Sequence, residues 1–368
     1  ARSLWQPAEM AATHHGAKTA ATPVEWIAYV LAIVPGALLA LIGASGLVSE
    51  TVVLALFALS YIGLNLAHMA ATWTRVYLDP PSFRRAPVER VVVPALLIVG
   101  AMSVEAAGGA AALIGAQYFL SIHHALMENY GLVRLTQARA GRRPSEGLCR
   151  VTQAACFLLP FAALIHRARV IATEFRGFPL AAAPAWLAPL MAALGATALV
   201  THVAIELRAR SRGEPVALLG VAVVVTTNLL WSWLLVSIHD PVLPLYAIAS
   251  AHYVQHLHFV WRFEHRPGAL GALPAKLRER VAPPRRLPYL AALGALGAVV
   301  LVLLTGATLG ARWVAEALSL RRGGPSILPP WTAAMIGINF SHYWLDHRIW
   351  RLRKPEVARP LDLIGAAG

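Results

Sequence analysis

Apolar runs of about 20 residues recur down this chain, each long enough to cross a hydrocarbon core of roughly 30 Å, and nothing else in the sequence constrains the fold as strongly. A bilayer offers no partner to a bare peptide group, so segments of this kind must close their backbone hydrogen bonds internally. A soluble bundle is excluded by composition. Only 14% of the residues are charged and 58% are hydrophobic, with a mean hydropathy of +0.59, against roughly 25% charge in an ordinary soluble domain. The expected fold is an all-α polytopic transmembrane helical bundle.

Apolar length, Gly/Pro punctuation and basic flanks predict ten spans, near 24–45, 50–72, 89–106, 110–134, 151–169, 184–207, 215–238, 242–263, 287–311 and 328–350. Glu105 and Gly108-Gly109 mark the weakest boundary, where the third and fourth runs are close to fusing. Residues 1–22 lack a continuous apolar core and read as an N-terminal tail rather than a signal peptide, 23–352 as the membrane domain and 353–368 as a C-terminal tail. The net charge of +14 does not point to nucleic acid, because the 32 basic residues sit in clusters between the apolar runs. With ten spans, 26 of them fall on the side of the two termini and 6 on the other, the asymmetry that marks the cytoplasmic side. Both termini are therefore expected in the cytoplasm, with a bacterial inner membrane as the location.

The two cysteines, Cys149 and Cys156, suggest neither a disulfide framework nor a thiolate metal site. Histidine is more informative. Asn65, His68 and Thr72 form a helical stripe in the second run, and Gln117, Ser121, His124 and Glu128 form one in the fourth, with His123 turned away by about 100°. In the eighth, His252 and His256 are an i, i+4 pair, and in the tenth Asn339, His342 and Asp346 share a face. All four stripes are expected at the same depth, near the cytoplasmic end of an even-numbered helix.

An ionisable side chain in hydrocarbon is costly and is normally paired or functional. A lone intramembrane histidine is ordinary helix–helix glue; several imidazoles and two carboxylates at one depth are a ligand set. The predicted metal ligands are His68, His123 or His124, Glu128, His252, His256, His342 and Asp346, with Glu128 and Asp346 also the candidate catalytic groups, as bridging ligands or proton carriers. Asn65, Gln117, Ser121, Gln255 and Asn339 are the expected outer partners that orient the imidazoles. The tryptophans near span ends, Trp350 among them, read as an aromatic belt.

On His123-His124, His252 to His258 and His342, the chain resembles the histidine-rich integral-membrane oxidoreductases of the desaturase and hydroxylase class. Of that class's boxes only the HxxxH pattern occurs, as His252-Tyr253-Val254-Gln255-His256. The C-terminal string HYWLDHRIWRLRKPEVARPL also looks like the ending of a group of bacterial polytopic proteins. The resemblance implies iron, as one or two ions, with zinc, copper or haem as the alternatives. It further implies a lipophilic substrate (fatty acyl chain, isoprenoid or carotenoid) and an electron donor at the cytoplasmic face. Two competing readings of the same residues are a proton- or metal-ion-coupled transporter and a haem-binding membrane protein with bis-histidine ligation; no CxxCH motif is present for covalent haem, nor HExxH for a zinc hydrolase.

Overall fold

The computed structural model describes residues 21–49, 51–53, 55–56, 61–77, 83–142, 144–171, 182–240, 242–264, 291–299 and 330–350. Among the described residues every regular element is helical and no strand occurs. The principal helices are α1 (Pro23–Ala44), α2 (61–77), α3 (Pro87–Ala106), α4 (Ala110–Arg139), α5 (Glu146–Val170), α6 (Leu187–Ser211), α7 (Leu218–Ser237), α8 (Val242–Glu264) and α9 (Pro330–Ile349).

Six of them, α1 and α3 to α7, are long and apolar enough to cross a membrane. Helices α8 and α9 have the length, at 23 and 20 residues, but histidines and other polar side chains lower their hydropathy. Most of the expected ninth span, a few residues of the second, and nearly all of both tails lie outside the described residues. The boundary between the third and fourth runs is a true turn: Gly108 adopts φ +84°, and the N–H groups of Gly108 and Gly109 donate to Glu105 O and Val104 O at 2.9 and 2.8 Å. This Gly-dependent closure stops α3 and lets α4 restart in the opposite direction.

Large apolar side chains point outward, Val91, Leu96 and Val99 on α3 and Leu190, Leu194 and Val200 on α6, which suits contact with lipid tails. Without a hydrophobic force between helices in lipid, close approach depends on small residues. Accordingly α9 lies against α3 at Gly337, where a Cβ would come within 2.5 Å of Ile98 Cα, and α6 lies against α5 at Gly195, where it would come within 2.6 Å of Leu159 N.

Polar ties fix which helix ends meet. Glu25, in the first turn of α1, is capped by Thr22 and pairs with Arg139 at the end of α4 and Arg262 at the end of α8. The Arg75 guanidinium of α2 covers the Phe263 ring of α8 at 4.8 Å, and Arg348 of α9 pairs with Glu89 at the start of α3 at 2.6 Å. The Phe263 ring also lies 5.2 Å from that of Trp350, which follows α9. So α2, α4, α8 and α9 end on one side of the bundle, and α1 begins there. At the far end of α5, fully buried Arg167 donates to the carbonyls of Leu235, Ile238, His239 and Asp240, closing the open carbonyls at the end of α7.

Candidate metal centre

Four helices that end on the same side bring their polar stripes to one point. Helix α2 supplies His68, which follows the π-helical turn Tyr61–Asn65, a kind of turn often found beside functional residues. The i, i+4 pairs His124 and Glu128 on α4, His252 and His256 on α8, and His342 and Asp346 on α9 complete the set. These five histidines and two carboxylates form three overlapping groups in which the ligand atoms lie within 4.8 Å of one another: His68, His124, His342 and Asp346; His124, Glu128 and His252; and Glu128, His256 and Asp346. All except half-buried Glu128 are buried.

The spacing distinguishes this set from ordinary hydrogen bonding. His342 Nε2 lies 3.2 Å and His124 Nε2 3.6 Å from Asp346 Oδ2, while His124 Nε2 and His252 Nδ1 lie 3.5 and 3.4 Å from the Glu128 carboxylate. Most of these are long for hydrogen bonds. They match the edges of a coordination polyhedron, since two atoms about 2.1 Å from one ion are about 3.0 Å apart at a right angle and about 3.4 Å apart at the tetrahedral angle. His256 Nδ1 is closer to Glu128 Oε1, at 2.9 Å, and is 3.9 Å from Asp346 Oδ2. His68 Nε2 and His342 Nε2 face each other at 2.6 Å, an approach that is repulsive unless a proton or cation lies between the two lone pairs. Buried His124 Nε2, both ring nitrogens of His252, His256 Nε2 and Asp346 Oδ2 have no hydrogen-bond partner. Buried polar atoms in this condition are rare and call for an explanation, and a cation supplies one for His124 Nε2, His252 Nδ1 and Asp346 Oδ2. The cluster can hold a metal ion.

The outer contacts fall on Asp346. Thr72 Oγ1 donates to Asp346 Oδ1 at 2.6 Å, and Trp350 Nε1 donates to the same oxygen at 3.1 Å. Both donors engage Oδ1, so Oδ2 is the oxygen turned toward the imidazoles, and the carboxylate is held in the orientation a ligand needs. Rings enclose the rest. Tyr343 stacks on His124 with centroids 4.5 Å apart, Tyr253 lies 5.1 Å from His68, and Trp350 meets His256 edge-on at 6.1 Å.

Several sequence expectations need correcting. His123 does not enter the cluster: it is exposed and packs beside Phe119, Phe157 and Phe161, because the 100° step between adjacent helical residues gives the inward face to His124. None of the four amides expected as outer partners hydrogen-bonds to a cluster residue. Gln255 donates to Tyr29 O at 2.9 Å, Gln117 pairs with Ser121 and Tyr343, buried Asn65 leaves its Nδ2 without a partner, and half-buried Asn339 makes no contact with the set. That role falls instead to Thr72, visible in the α2 stripe, and to Trp350, read from sequence as part of a belt. Both cysteines are free, and Cys156 packs among apolar side chains with Ala155 and Val223. No known protein family, curated protein or solved structure matches this chain.

Proposed function

We propose that the protein is a membrane-embedded metalloenzyme, a non-haem iron oxidoreductase with a two-metal centre that acts on a lipophilic substrate. The observation that carries the reading is the convergence of five imidazoles and two carboxylates from four helices, with ring nitrogens and a carboxylate oxygen left facing one another. Two ions are favoured because Glu128 and Asp346 are shared between overlapping donor groups, the place of bridging carboxylates in helix-bundle di-metal sites. Mixed imidazole and carboxylate donors without thiolate favour iron or manganese over a copper site.

Bound iron would supply the one-electron chemistry that turns dioxygen against an unreactive C–H or C=C bond. The chain's own residues do the rest. Glu128 and Asp346 bring negative charge to offset that of the metals, and Thr72 and Trp350 hold Asp346 in place. Glu128, the partly exposed member of the set, is placed to carry protons to and from the centre. Substrate reaches the centre from the bilayer through the apolar outer surface. The asymmetry of 26 basic residues to 6 in a ten-span topology supports a centre toward the cytoplasmic side of an inner membrane, where a soluble electron donor would have access.

The packing of His68 argues against haem. Its ring has those of His252, His256 and His342 within 4.8 Å, centroid to centroid, so rings of the cluster occupy the space a porphyrin plane would need. Metal analysis with Mössbauer spectroscopy of ⁵⁷Fe-enriched protein, purified without oxygen, tests the proposal. About two irons per chain, with magnetically coupled ferric signals after the sample is exposed to dioxygen, is the expected result. Protein that retains no transition metal, or that shows a Soret band, overturns it.

A further inference from the structure

Beside the metal centre lies a second polar group that the metal reading does not use. Gln117 Nε2 donates to Ser121 Oγ at 2.9 Å and to Tyr343 Oη at 3.1 Å, and the two hydroxyls are 2.7 Å apart. Hydrogen counting shows what this triad lacks. Two hydroxyls carry two hydrogens, and their mutual bond uses one. The other has no acceptor among these contacts, and buried Gln117 Oε1 has no donor. The triad therefore offers one free donor and one free acceptor next to the metal centre, between α4 and α9.

Its position ties it to the centre. Tyr343 follows the cluster residue His342 and stacks on His124 at 4.5 Å. Ser121 is three residues before His124, about 4.5 Å along the α4 axis, and Gln117 is about 6 Å further. All three side chains are half-buried, so an occupant need not be sealed inside the bundle. Phe340, with its ring 6.4 Å from Tyr343, adds an apolar neighbour.

A hydroxyl group is one donor and one acceptor on a single atom, which matches the triad's deficit. We propose that Gln117, Ser121 and Tyr343 form a subsite for the hydroxyl of a long-chain or isoprenoid alcohol, whose apolar chain runs along α4 and α9 past His124. As an assignment of substrate class this rests on the metalloenzyme reading; as a binding site it stands separately. Gln117 Oε1 accepts the ligand O–H, and the free hydroxyl hydrogen of Ser121 or Tyr343 is donated to the ligand oxygen. An alkane satisfies neither group, and a methyl ether satisfies only the donor. In an apolar setting an unmet buried polar group is costly, so the subsite selects the alcohol.

The test uses the full chain in lipid nanodiscs and a diazirine-bearing long-chain alcohol, with crosslinked peptides mapped by mass spectrometry. Labelling is expected within α4 and α9, displaced by 1-hexadecanol at about tenfold lower concentration than by hexadecyl methyl ether, as the loss of one buried hydrogen bond implies, with hexadecane, which satisfies neither group, weaker still. Gln117→Leu and Gln117→Met, which remove the acceptor for the ligand O–H, should each erase that preference, while Ser121→Thr, which keeps the hydroxyl, should retain it. Two independent variants at Gln117 keep the test decisive should one of them fail to fold. Equal displacement by alcohol, ether and alkane would mean that the triad holds only a water molecule, and the proposal falls. Metal content measured on the same samples separates the two claims. Alcohol preference in protein that binds no metal leaves the subsite and removes the metalloenzyme reading; metal-loaded protein without the preference does the opposite.

Discussion

Two buried carboxylate clusters in this protein differ in what they lack. Glu25 is wholly buried, yet it meets the Arg139 and Arg262 guanidinium groups and the backbone N–H and hydroxyl of Thr22. Its charge is matched by cations of the chain itself. Glu128 and Asp346 instead meet imidazoles, which carry a full positive charge only when doubly protonated. There, ring nitrogens and Asp346 Oδ2 remain without partners. The first cluster is complete as a protein structure; the second could hold a cation from outside. A fold that provides arginines for buried Glu25 and Glu206 and not for Glu128 or Asp346 keeps a place for something else.

This contrast can be broken in four ways. The largest effect is expected at the centre: His342→Ala or Asp346→Ala should reduce bound metal per chain to background by elemental analysis, and full retention in both would remove the cluster from consideration as a metal site. Next, Glu25→Ala leaves two guanidinium groups without their buried partner and should destabilise the protein by about 3–5 kcal/mol in unfolding measurements, with metal per folded chain unchanged. Loss of metal in that variant would show that the two clusters are not independent.

A smaller effect is expected from Thr72→Val, which removes one of the two donors to Asp346 Oδ1. Metal affinity measured by chelator competition should fall about 10- to 100-fold, and Thr72→Ser should restore it. The smallest belongs to His123→Ala, whose exposed side chain should shift stability by no more than about 0.5 kcal/mol and leave metal content as it was. A large loss of metal there would show that the wrong member of the His123-His124 pair has been assigned to the centre.

What the sequence made legible follows from periodicity. The pairs His124 and Glu128, His252 and His256, and His342 and Asp346 were readable because a four-residue step returns to nearly the same helix face. The choice between His123 and His124 was not, since it depends on which face of α4 meets the bundle. Trp350 lies one turn beyond Asp346, so spacing alone gave a signal that the commoner role of an interfacial tryptophan obscured. Gln255 sits between His252 and His256 in sequence but on another face, and this is why its amide reaches Tyr29 rather than a ring. The Thr22-to-Glu25 cap has the local form of a capping box, whereas Arg139, 114 residues from Glu25, could be found only from the fold. The hydroxyl pair of Ser121 and Tyr343, separated by 222 residues, belongs to the same category. The runs of α8 and α9 were read as spans along with the others, although the residues that build the centre lower their hydropathy below that of the six most apolar helices.

His68 and His342 face each other across 274 residues of chain, and that separation has a consequence for biogenesis. The helix bearing His342 and Asp346 is the last of those described, so the ligand set is assembled only after α9 has been synthesised and inserted. A chain arrested before α9 lacks two of the seven groups, including the carboxylate shared between donor sets. Metal occupancy would therefore record the insertion of α9, and chains that hold no metal would be those in which the last ligand pair has not yet joined the bundle.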